Sequence, residues 1–567
     1  MTKLVISEKY NAAKRIASAL GKYHTKKVNG ISIFVVDDYI IAYASGHLYN
    51  LASNKRSYPI FDPTWQARDN AYKMINAIRE LADKAEYFIN ACDLDQEGEV
   101  IAYNILTFAC NDAYARSYRA KFSALTKDEI VKAFSNLEES YKFKGLADAG
   151  ITRHTLDFIY GINLSRALID ASKKILSIGR VQGPTLAFII DREIEIQTHI
   201  PKPYWLIDAL LSKDGNKFTA RYESIIYNEM DAKSIVDKCK DKDGVVRDIK
   251  DDTIYLKPPT PFNLLDLQRE AYNYYRLSPS KTLAIAEKLY LNALISYPRT
   301  SSQRLPRMNY KQIIKRLSNI RSYYNISSKL LSKDRLKPNN GLKDDPAHPA
   351  IYPTGELPKR LDKLEYKVYD LIVRRFLATF MDPAVISKVK AFIDINNYTF
   401  IAEGSSILER SWLNIYGYYN EKSLPPLRIN DIVINLGINS NEEFTKPKPR
   451  FNSSSLLVLM DKEKIGTKST RAMIIDTLIK RGYITNRFEP TQLGFTIFEV
   501  IKEYMPDILS VELTREMEDK LEKIEEGLIK PSMVISDASE RLIKVLNKFI
   551  DNKEIIGIKL QTILNNS

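Results

Sequence analysis

The sequence contains little cysteine. Among its 567 residues are only three cysteines, Cys92, Cys110 and Cys239, which lie far apart and form no Cys-x-x-Cys pair. This spacing excludes a disulfide framework and a structural zinc finger, and we expect the three side chains to be buried as small apolar groups. The sequence also has no apolar run that approaches the ~20 residues of a membrane span. Its first residues lack the layout of a signal peptide, so we expect an intracellular protein.

Positive charge exceeds negative charge in this chain. There are 84 Lys and Arg residues against 70 Asp and Glu residues, which gives a net charge of +14. The hydrophobic content of 44% and the charged content of 27% are typical of a globular protein with real cores, and the length predicts about three to five domains. The basic surplus suits a polyanionic partner, either nucleic acid or an anionic membrane surface.

The first part of the chain, residues 1–140, alternates between strand and helix patterns. Leu4-Val5-Ile6 is a short apolar run that is followed by helical spacing, and residues 31–44 predict a hairpin broken at Asp37-Asp38. Residues 87–92 predict a buried strand that runs into an acidic cluster, and a helix follows it. This order predicts an α/β domain with a mainly parallel sheet.

Beyond residue 140, helical and strand-rich segments alternate. This order predicts nested domains, in which the chain leaves a domain and later returns to it. The segments are 141–202 (helical), 203–258 (strand-rich), 259–380 (helical), 381–450 (strand-rich) and 451–567 (helical).

The acidic cluster has the features of a metal site. Asp93 and Asp95 are two residues apart, so both carboxylates point the same way on an extended segment, at the strand end where α/β sheets place ligands. Glu97 follows them, and Glu8, with Lys9 beside it, ends the first predicted strand at the same edge. Hard oxygen donors at this density suit Mg²⁺. A solvated acidic turn at a helix N-terminus is the alternative interpretation.

Tyr297 is one of 34 tyrosines and stands out by its neighbours. It follows an amphipathic helix, Pro298 stops that helix, and Arg299 supplies a guanidinium whose planar fork matches phosphate. A phenol with a pKa of ~10 becomes a nucleophile toward phosphorus when a cation and a metal stabilise the developing charge.

Taken together, these features resemble the type IA DNA topoisomerases, and in particular their archaeal topoisomerase III-like members. Eight motifs occur in the family's order over nearly the whole chain. They are Glu8-Lys9, Gly46-His47-Leu48, Asp93-Leu94-Asp95-Gln96-Glu97-Gly98-Glu99, the pair Arg153 and Asp157, Ser177-Ile178-Gly179-Arg180-Val181-Gln182, Tyr297-Pro298-Arg299-Thr300, His348 with its neighbours, and Ile465-Gly466-Thr467-Lys468-Ser469-Thr470-Arg471.

The resemblance implies a fold of α/β plus α and β segments: a multidomain torus that begins with a Toprim α/β domain. The Toprim domain would cover 1–140, a helical base domain 141–202 and 451–567, an arch domain 203–258 and 381–450, and a tyrosine-bearing gate domain 259–380. The implied activity is ATP-independent cleavage of one DNA strand through a 5′-phosphotyrosine link, passage of a strand and religation. It would relax negative supercoils, decatenate DNA, or do both.

The resemblance also implies roles for individual residues. Tyr297 would be the nucleophile, Arg299 would stabilise charge on the phosphate, Glu8 and Lys9 would manage the leaving 3′-oxygen, and His348 would lie near the scissile phosphate. The Mg²⁺ ligands would be Glu8, Asp93, Asp95 and Glu97. The single-strand groove would be lined by His47, Arg153, Asp157, Ser177, Ile178, Gly179, Arg180, Val181 and Gln182.

The expected partners are single-stranded and negatively supercoiled DNA, and a helicase is a possible further partner. We expect a monomer that does not bind a membrane and that lies in the cytoplasm, associated with the nucleoid.

The chain departs from relatives at Ser301, where many bacterial members have aspartate, and at Pro349, where many have glutamate. The C-terminal zinc fingers of larger relatives are absent, and the glycine spacing of a Walker A motif is missing, which argues against reverse gyrase.

Two other functions stay open. In a Toprim-type nuclease or primase-like enzyme, the acidic cluster would act and Tyr297 would only pack. In a non-catalytic DNA-binding protein, residues 469–492 would form a winged helix. For Arg153 and Asp157, an ordinary intrahelical ion pair is the alternative to a role in DNA binding.

Overall fold

The computed structural model describes residues 2–55, 57–345 and 347–564. Within the first of the regions outlined above, the described strands are β1 Lys3–Ser7, β2 His24–Val28, β3 Ile31–Val36, β4 Tyr39–Tyr43, β5 Tyr49–Ala52, β6 Thr64–Ala67, β7 Tyr87–Asn90, β8 Tyr118–Arg119 and β9 Glu138–Glu139. The helices of this region are α1 Tyr10–Leu20, α2 Tyr72–Ala82, α3 Gln96–Phe108 and α4 Lys127–Ser135. The predicted strand at 4–6, the hairpin at 31–44 and the strand that leads to the acidic cluster are confirmed.

The sheet is mixed rather than mainly parallel. Among the described residues its order is β2-β3-β4-β1-β7-β8-β9, with parallel pairing in the centre, from β4 through β1 and β7 to β8. The pairs β2–β3, β3–β4 and β8–β9 are antiparallel, so the prediction is wrong at both edges. The physical reason is that β3 and β4 are joined by a tight turn, in which Asp37 adopts a φ of 49°, and such a turn can only reverse the chain.

Both faces of the central strand β1 are buried. Val5 packs into a cluster with α1 and α4 residues on one face, and Leu4 and Ile6 pack with α2 and α3 residues on the other. A continuous apolar run is typical of such a doubly covered strand. The carboxyl end of the sheet is therefore left as the edge where polar side chains can meet.

A closed β-barrel forms from two segments that are far apart in the chain. Its order is β10-β11-β14-β13-β12-β15, and helix α7 (Glu229–Cys239) packs against β10 and β15. The barrel strands are β10 Pro203–Lys213, β11 Asn216–Tyr222, β12 Gly244–Leu256, β13 Ala384–Ile395, β14 Tyr398–Glu409 and β15 Ile432–Phe444. The chain thus leaves the barrel after β12 and returns to it at β13.

The remaining helices fall into two groups. Those between the two halves of the barrel share a core with α1 and α4, and they are α8 Leu264–Tyr275, α9 Pro279–Leu291, α10 Tyr310–Leu317, α11 Tyr324–Leu331 and α12 Lys363–Ala378. The others share a separate core, and they are α5 Lys144–Ser172, α6 Gln182–Gln197, α13 Ser453–Lys462, α14 Arg471–Lys480, α15 Gln492–Tyr504, α16 Val511–Glu525, α17 Pro531–Asp551 and α18 Lys553–Leu564.

All three cysteines are buried and free, as predicted. Among the described residues, no helix combines the length and the apolar composition that crossing a membrane requires.

Candidate active site

Tyr297 lies in the loop that follows α9, and its hydroxyl reaches the edge of the N-terminal sheet. The backbone N–H of Tyr297 donates to the carbonyl of Ser123 at 2.7 Å, which holds the loop against the sheet domain. The phenolic O–H donates to Asp95 Oδ2 at 2.6 Å, and the side chain is 3% exposed. The fold therefore brings the predicted nucleophile into direct contact with the predicted acidic site.

Two rings flank the ring of Tyr297. Tyr290 meets it edge-on with 5.1 Å between the ring centroids, and the imidazole of His348 lies 4.5 Å away. Burial and the charge of Asp95 raise the pKa of Tyr297 well above its usual value. The phenol is protonated at neutral pH, and its proton is directed at the carboxylate of Asp95.

The acidic residues meet at the carboxyl ends of β1 and β7. Glu8 follows β1, and Lys9 Nζ lies 3.2 Å from Glu8 Oε1. Asp93 is buried, and this burial, together with the charge of Glu8, raises its pKa well above the usual range. Asp95 caps α3, because its Oδ1 accepts the N–H of Gly98 at 2.8 Å. A Cβ at Gly98 would lie 2.2 Å from the carbonyl oxygen of Asp93, so only glycine fits there.

The carboxylates of Glu8, Asp93 and Asp95 fit the magnesium ion that the resemblance implies. They are hard oxygen donors, as Mg²⁺ prefers. Burial, and then the charges of Glu8 and Asp95, raise the pKa of Asp93, and a divalent cation beside these carboxylates would favour their ionised forms.

Glu97 does not join these carboxylates but lies between two histidines. Its Oε2 is 2.9 Å from His47 Nε2 and 3.1 Å from His154 Nε2. Burial raises the pKa of Glu97, but the hydrogen bonds from His154 and His47 outweigh it and lower the pKa far below its usual value. Glu99 is also occupied elsewhere, since it is fully buried and lies 3.1 Å from Arg119.

Arg299 is held by a glutamate on the preceding helix. Its Nε and Nη2 donate to Glu287 Oε1 at 2.9 and 2.5 Å, and its Nη1 lies 3.9 Å from Asp95 Oδ2. Glu287 also lies 3.7 Å from Lys9 Nζ. One carboxylate thus positions the two cations closest to the tyrosine and the acidic edge.

His348 is fixed by a network that includes a partly buried ion pair. Its Nε2 lies 3.0 Å from the carbonyl oxygen of Leu94. Asp345, three residues earlier in the chain, accepts hydrogen bonds from Lys468 Nζ at 2.5 Å and from the N–H of Ser301 at 3.0 Å. Burial and the charge of Lys468 lower the pKa of His348 to about 4. Burial alone would raise the pKa of Asp345, but Lys468 lowers it to about 2.

Arg153 and Asp157 do not pair with each other. In the part of the chain that the structure describes, Arg153 Nη2 lies 3.3 Å from Glu518 Oε2, and Asp157 Oδ1 accepts Arg180 Nε at 2.7 Å. Arg180 also donates to Glu518 at 2.8 Å. The interpretation as an intrahelical ion pair is therefore wrong, because both residues contact elements that are distant in the chain.

The predicted DNA-contacting segment 177–182 is largely packed. Ile178, Arg180 and Val181 are buried, and the other three residues of the segment are half-buried. The N–H of Ser177 donates to the hydroxyl of Tyr483 at 3.0 Å. The contact of this segment with DNA stays a prediction.

Two adjoining clefts lead past the tyrosine loop to the acidic edge. Their volumes are ≈ 760 and ≈ 410 Å³, and Arg153 and Lys468 line both of them. The larger cleft also contains Thr300 and Ser301, and the smaller one contains Asp95 and Glu97. Eight acidic and five basic residues line the larger cleft, and four of each line the smaller one. Arg153 and Lys468 therefore supply local positive charge for a phosphate within a surface of mixed charge.

Sequence reasoning gave no role to several residues of the site. A weak local signal existed for three of them, because Lys468 lies in the motif at 465–471 and because Glu287 and Tyr290 lie on the helix before Tyr297. The other three, His154, Asp345 and Glu518, had no local signal, because their contacts join distant parts of the chain.

Comparisons with known proteins agree with this arrangement. A family model described as DNA topoisomerase matches residues 142–536, which include Tyr297, and a Toprim domain model matches residues 3–125, which include the acidic edge. DNA topoisomerase 1 of Pyrococcus horikoshii is 43% identical over 591 residues, covering 99% of this chain and 86% of that protein.

The chain belongs to the type IA DNA topoisomerase family. DNA topoisomerase 1 of Methanocaldococcus jannaschii is also 43% identical, over 99% of this chain and 76% of that protein. The solved structure of full-length topoisomerase I from Thermotoga maritima matches with a TM-score of 0.80 and 28% identity, covering 96% of this chain and 90% of that one. The predicted multidomain toroidal fold with an N-terminal Toprim domain is therefore confirmed, and so is the predicted topoisomerase activity.

The two alternative functions are set aside by this membership. The helix of the proposed winged helix, α14, packs against α6 and α9 and buries Ala472, Ile475 and Leu478. It is therefore a part of the helical core.

Proposed function

We propose that this type IA topoisomerase uses Tyr297 as the nucleophile that cuts single-stranded DNA, next to a magnesium ion at Glu8, Asp93 and Asp95. The observation that carries the proposal is the 2.6 Å hydrogen bond from the Tyr297 hydroxyl to Asp95. This contact supports the proposal because the phenol of Tyr297 comes from the tyrosine loop and the carboxylate of Asp95, which can accept its proton, comes from the sheet domain.

Cleavage then follows from the residues that surround the phenol. The oxygen of Tyr297 attacks the phosphorus, its proton passes to Asp95, and the bond from phosphorus to the 3′-oxygen breaks. Lys9, 3.2 Å from Glu8, returns a proton to the leaving 3′-oxygen, and Arg299 balances the charge that develops on the phosphate. The phosphodiester is exchanged for a 5′-phosphotyrosine, so religation by the reverse path needs no ATP.

A bound Mg²⁺ would supply positive charge beside the phosphate and keep several of its waters. Glu8, Asp93 and Asp95 would hold it from the sheet edge. We propose that His348, whose ring contacts Tyr297, orients the phenol, since its own position is fixed by the carbonyl of Leu94.

We further propose the domain division 1–140, 141–202 with 451–567, 203–258 with 381–450, and 259–380, the last acting as a movable gate. Apolar packing against α1 and α4 and a set of polar contacts hold this gate on the rest of the molecule. Beyond the tyrosine site, Ser280 donates to Asp476 on α14, and Lys343 lies 3.0 Å from Asp461. These contacts, and the apolar core that the segment shares with α1 and α4, must separate for a strand to pass. A monomer that binds single-stranded and negatively supercoiled DNA in the cytoplasm, with a helicase as a further partner, completes the proposal.

The test is a pair of tyrosine variants. A single-stranded oligonucleotide labelled at its 3′-end stays on the protein after denaturation if the 5′-phosphate carries the link. Tyr297→Phe should lose this adduct and the relaxation of negatively supercoiled plasmid with Mg²⁺ and without ATP. Tyr290→Phe, whose ring lies 5.1 Å away, should keep the adduct. An adduct that survives in Tyr297→Phe would refute the assignment.

A further inference from the structure

Three side chains outside the proposed magnesium set converge on one point. His47 lies between β4 and β5, Glu97 lies in the first turn of α3, and His154 lies on α5. Both Nε2 atoms contact the same carboxylate oxygen of Glu97, at 2.9 and 3.1 Å. Among the described residues, this is the group of three whose candidate ligand atoms all lie within 4.8 Å of one another.

We propose that His47, Glu97 and His154 form a second metal site, which takes a divalent transition-metal ion of the Zn²⁺ class. Two imidazole nitrogens and one carboxylate oxygen are a ligand set for Zn²⁺ and its neighbours in the first transition row. Mg²⁺ prefers oxygen donors and would bind at the carboxylates of Asp93 and Asp95. The two sites would therefore select different ions although their residues are interleaved in the sequence.

The fold presents the three ligands from supported positions. Gly46 has a φ of +98°, its N–H donates to the carbonyl of Glu8 at 3.3 Å, and Arg68 donates to the carbonyl of His47. The ring of His154 contacts Trp65 at 5.8 Å and His47 at 5.1 Å. These contacts orient both imidazoles toward the carboxylate before any ion arrives, which reduces the entropy lost on binding.

The site is also open enough to be loaded. The side chains of His47, Glu97 and His154 are 24%, 25% and 29% exposed. Solvent can therefore deliver the ion, and water can complete its coordination where the protein provides three ligands. A bound ion would join the β4–β5 loop and α3 of the sheet domain to α5 of the helical region, so its direct effect would be to stabilise that junction.

The test uses the full chain, stripped with a chelator and titrated with Co²⁺ in excess Mg²⁺. Co²⁺ accepts the same ligands as Zn²⁺ and absorbs visible light in a nitrogen-containing site. We expect one equivalent of Co²⁺ with a visible band that Zn²⁺ displaces. His154→Ala should weaken binding by more than ~100-fold, since even outer-shell partners of a metal site are worth ~10–100-fold. The control His24→Ala changes an exposed histidine on β2 and should leave the band unchanged.

Two more measurements keep the outcome clear. Asp93→Asn, which alters the magnesium edge, should retain the Co²⁺ band, so a failure of the magnesium assignment would not affect this result. X-ray absorption of the Zn²⁺-loaded, unmodified chain should show two imidazole nitrogens at ~2.0–2.1 Å. Absence of a Co²⁺ band in the unmodified chain, or an equal band in His154→Ala, would overturn the proposal. So would a His47→Ala variant that loses affinity for single-stranded DNA in chelator while still binding Co²⁺ normally.

Discussion

The hydroxyl of Tyr297 donates to Asp95 Oδ2 at 2.6 Å, while the other oxygen of the same carboxylate accepts the N–H of Gly98 at 2.8 Å. Asp95 therefore serves both as the cap of α3 and as the partner of the tyrosine. Because the two roles use different oxygens, a single substitution can separate them.

Asp95→Asn should keep the cap, since asparagine is an equally good N-cap residue, but should no longer accept the phenolic proton. We expect the rate of adduct formation to fall by ~10²–10⁴-fold, the usual contribution of a general base, and the thermal midpoint to stay the same or rise. The measurement is single-turnover cleavage of a labelled oligonucleotide, made in chelator so that any effect on Mg²⁺ is excluded. An undiminished rate would show that Asp95 does not take the proton.

The stability of the protein should depend on His348 between pH 6.5 and about 4. Burial and Lys468 lower the pKa of His348 from 6.5 to about 4, so in this window the unfolded chain binds a proton that the folded chain does not. The neutral imidazole therefore contributes fully to the free energy of unfolding above pH 6.5, and this contribution is lost as the pH falls toward 4. Denaturant midpoints measured from pH 5 to 7.5 should fall more steeply with decreasing pH in the unmodified chain than in His348→Asn. Parallel curves would contradict the assignment.

The ion pair of Lys468 and Asp345 should stabilise the tyrosine loop. Lys468→Met leaves a carboxylate that is 5% exposed without its cation. We expect a loss on the order of 2 kcal/mol, less than the ~3–5 kcal/mol of a fully buried pair because Lys468 retains some exposure. Asp345→Asn in the Lys468→Met background should recover part of it. The check is a double-mutant cycle of unfolding midpoints, and additive effects would exclude a direct interaction.

Two arginines should behave differently although both contact Glu518. Arg180 is 3% exposed and has two carboxylate partners, so Arg180→Gln should reduce stability by ~3–5 kcal/mol and leave the salt dependence of DNA binding unchanged. Arg153 lines both clefts, so Arg153→Gln should reduce the salt slope for single-stranded DNA by ~0.7, the value of one phosphate contact. Fluorescence anisotropy over a range of salt concentrations measures the slope, and identical slopes for the two variants would be inconsistent with this division.

Linking the proposed gate to the helical core should separate cleavage from strand passage. Ser280 on α9 contacts Asp476 on α14, and the three native cysteines are buried. A Ser280→Cys, Asp476→Cys variant joined by a reducible bifunctional thiol reagent should still cleave an oligonucleotide but not relax plasmid, and reduction should restore relaxation. Ser280→Cys alone, treated in the same way, is the control. Relaxation by the linked form would place the gate elsewhere.

The sequence itself determined the chemistry that is present and the order in which it occurs. Alternating apolar runs and helical spacing predicted the α/β start of the chain, because these periodicities follow from local backbone geometry. The Asp-x-Asp-x-Glu cluster and the Tyr-Pro-Arg loop could likewise be identified from the sequence, because each is a short segment in which the spacing of the residues indicates the chemistry. Eight such segments in order predicted the family without any knowledge of their contacts.

Only the tertiary structure decided which of these groups meet. Glu97 lies two residues after Asp95, yet its carboxylate contacts His47 and His154. Arg180 contacts Glu518, 338 residues away, and Lys468 contacts Asp345, 123 residues away. Such contacts depend on how whole elements pack, and no local pattern encodes them. The mixed edges of the sheet belong to the same class, because strand direction is set by the connections between strands as well as by the composition of each strand.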